Sequence, residues 1–192
     1  MSGHAPIEGR FAGQTVIVTG AGSGIGRATA VRLAMEGAAR VVAADVSVRR
    51  LEDLVAEFPG AGFVPVVGDV SREDAVQAVV AAADGRVDAL ANVAGIMDRF
   101  LPPGEIDDET WERVFAVNVT SIMRLTRAVL PLMQAAGKGA IVNISSEASL
   151  TASASGATYA ASKHAVNGFT QSTALFYRTQ GIRANAVAPG AV

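Results

Sequence analysis

The sequence predicts one α/β domain, with helices on both faces of a doubly wound, parallel β-sheet. Three observations carry this expectation. Short β-branched runs alternate with helical patterns along the whole chain, the order that yields parallel strands joined by helical crossovers. The first run, Thr15-Val-Ile-Val-Thr19, passes directly into a glycine-rich turn and then an alanine-rich helical stretch ending at Gly37. Of the 192 residues, 50% are hydrophobic and only 5% aromatic, a composition suited to close helix-on-sheet packing. The length suffices for one domain with a sizeable core, and no repeat, low-complexity tract or linker divides it.

Met1 to Phe11 lacks the apolar core of a signal peptide. Residues 1–10 read as a flexible leader. Ile7-Glu8-Gly9-Arg10 resembles a protease-cleavage linker but reads better as native sequence entering the first strand. After that strand comes Gly20-Ala-Gly22-Ser23-Gly24-Ile25-Gly26. Glycines in a strand–turn–helix setting allow a tight turn and a close backbone approach to a pyrophosphate, which the helix N-terminus then faces. Gly20, Ser23, Gly24, Ile25 and Gly26 are therefore candidate cofactor residues. Arg40-Val-Val-Ala-Ala-Asp45 is the second strand. Asp45 stands about 20 residues past the last loop glycine, where an acid accepts from the adenosine ribose hydroxyls. A carboxylate there repels a 2′-phosphate and favours NAD over NADP. A helix N-cap is its other reading. Arg49 and Arg50 read as solvated residues of the next helix.

Phe63-Val-Pro-Val-Val-Gly-Asp69-Val70 is the third strand, and Pro65 argues that it lies at an edge. Asp69, with Val70, is placed to meet an adenine; capping the helix from about Arg72 to Ala83 is the alternative for Asp69. Val87-Asp-Ala-Leu-Ala-Asn92-Val-Ala94-Gly95 is the fourth strand and its exit, with small residues where a cofactor can lie close. A loop from Met97 to Ile106 leads to one long helix, from about Glu109 to Ala135. Trp111, Val114, Phe115, Ile122, Leu125, Val129 and Leu132 recur at helical spacing, and Asn118 falls on that stripe. A buried amide without partners costs about 1–3 kcal/mol, so Asn118 has a structural or site role. Gly139-Ala-Ile-Val-Asn-Ile-Ser-Ser146 is the fifth strand, placing the Ser146 hydroxyl at the carboxyl end of the sheet. A helix from about Thr158 to Gln180 carries Tyr159 and Lys163, four apart and so on one face. An ammonium beside a phenol favours the phenolate, which makes a usable proton donor or acceptor. Ile182-Arg-Ala-Asn-Ala-Val-Ala is the sixth strand, ending at Pro189-Gly190.

Several classes are set aside. The net charge is −2 with no basic block, so nothing builds a phosphate-binding face for nucleic acid. With no cysteine and two distant histidines, His4 and His164, no metal site is expected. No apolar run approaches a membrane span. The lack of cysteine fits a reducing compartment, and a cytoplasmic protein is expected.

In order and spacing these features resemble the short-chain dehydrogenase/reductase family, from about Phe11 to the last residue. Thr19-Gly20-x-x-x-Gly24-x-Gly26 matches its cofactor motif. Asn92-Val93-Ala94-Gly95 matches its Asn-Asn-Ala-Gly turn, with Val93 in place of the second Asn. Asn118 sits in the family's Val-Asn-Val setting, Ser146 lies thirteen residues before Tyr159, and Tyr159-x-x-x-Lys163 matches the family pair. Pro189-Gly190 matches the nicotinamide-side loop, with Val192 beside it.

The resemblance implies a Rossmann-type sheet in the order 3-2-1-4-5-6, followed in the family by a seventh strand and a substrate lid that this chain lacks. A segment missing after Val192 is expected, since six strands alone would expose the edge of strand six and one sheet face. The resemblance also implies hydride transfer between NAD(H) and a secondary alcohol or ketone. Tyr159 would be the acid/base, Ser146 the partner of the substrate oxygen, and Lys163 the neighbour of both the phenol and the nicotinamide ribose. Asn118 would orient a water leading from Lys163 to solvent. A 3-oxoacyl thioester reductase and a sugar or secondary-alcohol dehydrogenase stay open. The rival from another class is a dinucleotide-binding regulator or scaffold without catalysis, which would be expected to lose Tyr159 or Lys163. The family's habit of pairing its two long helices implies a homo-oligomer, a tetramer or dimer.

Overall fold

The computed structural model describes residues 5–151 and 155–190. The first strand, β1 (Thr15–Thr19), is buried along its whole length, as a central strand with helices on both faces must be. Its side chains alternate. Ile17 faces one core, and Val16 and Val18 face the other.

Helix α1 (Gly24–Met35) packs Gly26, Ala30 and Leu33 inward at helical spacing and ends before Gly37, whose φ of 94° turns the chain toward β2 (Arg40–Asp45). Helix α2 (Val48–Glu57) starts at Ser47, whose hydroxyl caps the amide of Arg50, and buries Leu51 and Leu54. Together α1 and α2 cover the face of Val16, Val18, Val41 and Ala43. Strand β3 (Phe63–Val67), helix α3 (Glu73–Ala81) and strand β4 (Ala89–Asn92) follow.

The expected helix over residues 109–135 is interrupted. It forms α4 (Asp108–Phe115), a π turn over Ala116–Thr120, and α5 (Ser121–Ala136). Hydrophobic spacing does not register a widened turn of this kind. Trp111, expected on the buried stripe, is 42% exposed and stacks on Phe115. Strand β5 (Gly139–Ile144), helix α6 (Ala157–Tyr177) and strand β6 (Ile182–Val187) complete the fold. Val76, Val79, Leu125, Val129 and Met133, from α3 and α5, fill the second core against Ile17, Val42, Leu90 and Ile141.

All strand pairs are parallel, in the order β3-β2-β1-β4-β5-β6. This is a Rossmann-type sheet, and β3 with its Pro65 lies at the edge, as the missing N–H of proline requires. β6 forms the other edge, with Ile182 and Ala184 buried and Arg183 and Asn185 exposed. Ile7 and Arg10, expected within a loose leader, are tied to Glu36 at the end of α1. The Ile7 amide donates to Glu36 Oε1 at 3.1 Å, and Arg10 pairs with Oε2 at 3.3 Å.

Candidate active site

The carboxyl ends of the central strands open onto a cleft of about 510 Å³, where ligands bind in open α/β sheets. Its floor is the glycine turn. Gly20 and Gly24 have φ of 67° and 52°, a region costly for residues with a Cβ. At Gly26 a Cβ would overlap the Gly20 carbonyl, so only glycine lets α1 start so close to β1. Ser23 occupies the N-cap of α1 without a side-chain capping bond, and the first turn holds no acid. The amides at the head of α1 are thus left for an anion.

Asp45 ends β2 beside this turn. Its Oδ2 accepts from Gly22 N and its Oδ1 from Ser47 N, both at 2.9 Å. The cap of α2 is Ser47, so Asp45 is not the N-cap. Asp69 accepts from Ser71 N at 2.9 Å and lines the cleft with Val70. Across from them, Ala94 and Gly95 form the other wall. Thr19 holds that wall in place, since its hydroxyl accepts from the amides of Val93 and Ala94 at 3.0 and 3.1 Å.

Tyr159 and Lys163 stand at the far end of the cleft. Lys163 is 3% exposed, its Nζ donates to the Ile144 carbonyl at 2.7 Å, and it lies 5.4 Å from the centre of the Tyr159 ring. Burial pushes the Lys163 ammonium down to about 8. The sign follows. Between pH 8 and the ordinary value of 10.5, the unfolded chain holds a proton that the native chain has released. Stability therefore rises with pH across that window, and the burial cost is present in full below it. Lys163→Met is expected to abolish that rise. Urea unfolding at pH 7.5 and pH 10 reads the difference, about 2–3 kcal/mol in the parent.

Ser146 follows β5 and caps a short 3₁₀ turn, its hydroxyl accepting from Ala148 N at 3.1 Å. The hydroxyl proton has no acceptor among the described residues. Ser145, one residue earlier, instead donates to Ser149 Oγ and to the Lys163 carbonyl. Asn118 is fully buried in the π turn. Its Oδ1 accepts from Ile96 N at 2.8 Å, and its Nδ2 donates to the Ile96 carbonyl at 2.9 Å and to Ser162 Oγ at 3.1 Å. The whole amide is spent on fixing the loop after Gly95 and the helix of Tyr159.

Twelve of the residues singled out in the sequence line this one cleft: Gly20, Ser23, Gly24, Ile25, Gly26, Asp45, Asp69, Val70, Ala94, Gly95, Tyr159 and Lys163. Ser146, Asn118 and Asn92 do not line it. Asn92 turns into the sheet, where its Nδ2 donates to Asn143 Oδ1 at 2.8 Å, and Asn143 in turn donates to Thr170 Oγ1 at 2.8 Å. Pro189 and Gly190 lie against Glu147, whose amide donates to the Pro189 carbonyl at 2.8 Å. Val192 is outside the described residues.

Arg50 is exposed, as expected, and it also lines the cleft next to Asp45, donating to Ser23 Oγ at 3.4 Å. Arg49 is solvated, facing Asp53. Arg113 and Met97 also line the cleft, and Asp98 lies under Tyr159; no local pattern marks these three.

The family model for the short chain dehydrogenases matches residues 14–192. The chain belongs to the short-chain dehydrogenase/reductase family. It is 40% identical over 181 residues to a short-chain dehydrogenase/reductase of Talaromyces verruculosus, covering 92% of this chain and 69% of that one. It is 41% identical over 193 residues to 3beta-hydroxysteroid dehydrogenase 2 of Eggerthella lenta, covering 97% and 73%. The crystal structure of levodione reductase superposes with a TM-score of 0.89 at 39% identity, covering 95% of this chain and 73% of that one. Short-chain dehydrogenase/reductases are oxidoreductases that use a nicotinamide dinucleotide, and this cleft fits one. It offers unspent helix amides that could take a pyrophosphate, the carboxylates of Asp45 and Asp69 beside them, and buried Lys163 at the far end.

Among the described residues no helix is long and apolar enough to cross a membrane, and no cluster of three or more His or acidic side chains is placed to hold a metal ion.

Proposed function

We propose that the protein is an NAD(H)-dependent oxidoreductase that interconverts a secondary alcohol and a ketone. The observation that carries this reading is the cleft itself, with Asp45 at one end and the Tyr159–Lys163 pair at the other. A nicotinamide held in this cleft would supply or accept the hydride. Tyr159 gives or takes the proton at the substrate oxygen. Lys163, held by Ile144 and facing the phenol ring, stabilises negative charge at the phenol as the proton moves, and it binds the nicotinamide ribose. Ser146 donates its unspent hydroxyl to the substrate oxygen where charge develops. Asn118 spends its side-chain amide on Ile96 and Ser162, so it holds the loop after Gly95 and the helix of Tyr159 in place, and a water leading from Lys163 to solvent would be ordered at the π-turn backbone rather than by that amide. Pro189 and Gly190 belong to the nicotinamide side.

The substrate is an apolar one. Met97 lines the cleft and is 47% exposed, Phe100 is 65% exposed on the same loop, which bonds to the start of α6 through Leu101, and Leu150 is 71% exposed on the segment after Ser146. The relative named as a 3beta-hydroxysteroid dehydrogenase supports a bulky secondary alcohol. The protein works as a homo-oligomer. A groove between α5 and α6, lined by Met123, Leu130, Pro131, Phe169 and Phe176, supports pairing through these helices.

Nicotinamide absorbance with NADH and NADPH, against apolar ketones and a 3-oxoacyl thioester, tests the reading. The expected result is a preference for NADH of about tenfold, or ~1.4 kcal/mol, from the carboxylate of Asp45 against a 2′-phosphate. Asp45→Ala should remove most of it. Equal or better use of NADPH by the parent overturns the assignment to NAD.

A further inference from the structure

Helix α6 is capped from outside its own segment. Its N-cap residue is Gly156, which has no side chain to offer its amides. The amide of Tyr159 donates instead to Asp98 Oδ2 at 3.0 Å, across 61 residues of sequence. Asp98 sits in the loop between β4 and α4 and is only 7% exposed. Its second oxygen accepts from Phe100 N at 3.1 Å. Phe100 adopts a φ of 58°, a left-handed turn that swings Leu101 onto the helix start, where its carbonyl accepts from Ala157 N at 3.0 Å. Gly156 makes room for the carboxylate, since a Cβ there would overlap both oxygens. The positive end of α6 compensates the buried charge.

The two members of the pair are thus held by different parts of the fold. Lys163 is fixed by the Ile144 carbonyl through its ammonium and by Ser145 through its backbone. The backbone of Tyr159 is fixed by Asp98. Removing the carboxylate frees the first turn of α6 while the ammonium stays where it is.

We propose that Asp98 is a positioning residue: by capping α6 at the amide of Tyr159, it sets where the phenol stands relative to Lys163 and the cofactor cleft. The inference rests on the reading of Tyr159 as the acid/base. It concerns geometry, and a misplacement of about 1 Å at a reacting group costs up to about a hundredfold in rate.

The test uses Asp98→Ala and Asp98→Asn. Asparagine keeps the shape but offers one oxygen to two donors. The Ala variant should lose about tenfold to a hundredfold in kcat, with KM for NADH within about twofold of the parent. The Asn variant should fall between them, and it carries the same comparison should the Ala variant fail to fold. In a Tyr159→Phe background the Ala change should lower the residual rate no further. Amide hydrogen exchange should quicken at Tyr159 and Phe100 and stay slow in β1 and β5. A kcat within about twofold of the parent, unchanged exchange at Tyr159, or a joint loss of kcat and NADH affinity with exchange quickened across the sheet would each overturn the proposal. Full turnover by Tyr159→Phe alone would sink the acid/base reading instead, and the exchange measurement would still decide the cap.

Discussion

Tyr159→Phe is expected to lower kcat by about a hundredfold to ten-thousandfold, the range that a positioned acid/base contributes, while leaving dinucleotide affinity within about twofold. The substitution is a clean one here. Phenylalanine keeps the ring whose centre lies 5.4 Å from Lys163 Nζ, so the attraction between cation and ring face persists. The helix start is unaffected, because the bond to Asp98 comes from the backbone of residue 159. Only the hydroxyl is lost. Steady-state turnover of the best ketone, together with NADH titration by fluorescence, separates chemistry from binding. A Phe variant that turns over at the parent rate would remove Tyr159 from the mechanism. One that loses NADH binding as well would mean that the phenol holds the cofactor.

Gly26→Ala is the second change with a large expected effect, and it acts on the opposite end of the cleft. One methyl group is added, yet it falls on the Gly20 carbonyl and within 3.1 Å of the Thr19 carbonyl. Neither is the tip of a flexible side chain. Helix α1 must back away from β1, and the turn between Gly20 and Gly24 moves with it. Overpacking of this kind costs about 1–3 kcal/mol or more, a fall in Tm of roughly 2–12 °C for a chain of this size. The affinity for NADH should drop at least about tenfold, since the helix amides no longer converge on one phosphate position. Thermal unfolding and NADH titration check both. A variant with the parent's Tm and affinity would show that the close approach of α1 is not what shapes the turn.

The residues legible in the sequence were those whose chemistry is written in local spacing. The glycine turn announces itself between a β-branched run and a helical pattern, Asp45 by its distance from that turn, and Tyr159 with Lys163 by one helical turn. Pro65 placed β3 at an edge because a missing N–H cannot complete a central ladder. What stayed hidden depends on contacts between distant segments. Asp98 meets Tyr159 across 61 residues, and Asn143 receives Asn92 across 51. Arg50 reads as solvated and is exposed, but only the fold shows that α2 starts near enough to Asp45 for this side chain to line the cleft. The π turn was invisible for another reason. The apolar stripe reads as continuous through it, and Asn118 on that stripe signals an amide in need of partners but not a widened turn.

The amide ladder from Asn92 through Asn143 to Thr170 has a consequence for how the chain finds its pairing. Valine and isoleucine runs are interchangeable enough that β5 would tolerate sliding along β4. A slip of one residue turns every side chain of β5 to the other face. Asn92 and Asn143 would then be stranded in the core without each other, at about 1–3 kcal/mol apiece. Misaligned compact states thus lose the Asn92–Asn143 bond, a loss on top of the partnerless Asn92 Oδ1 of the native state, and the two asparagines proofread the alignment of the strands that carry the active site.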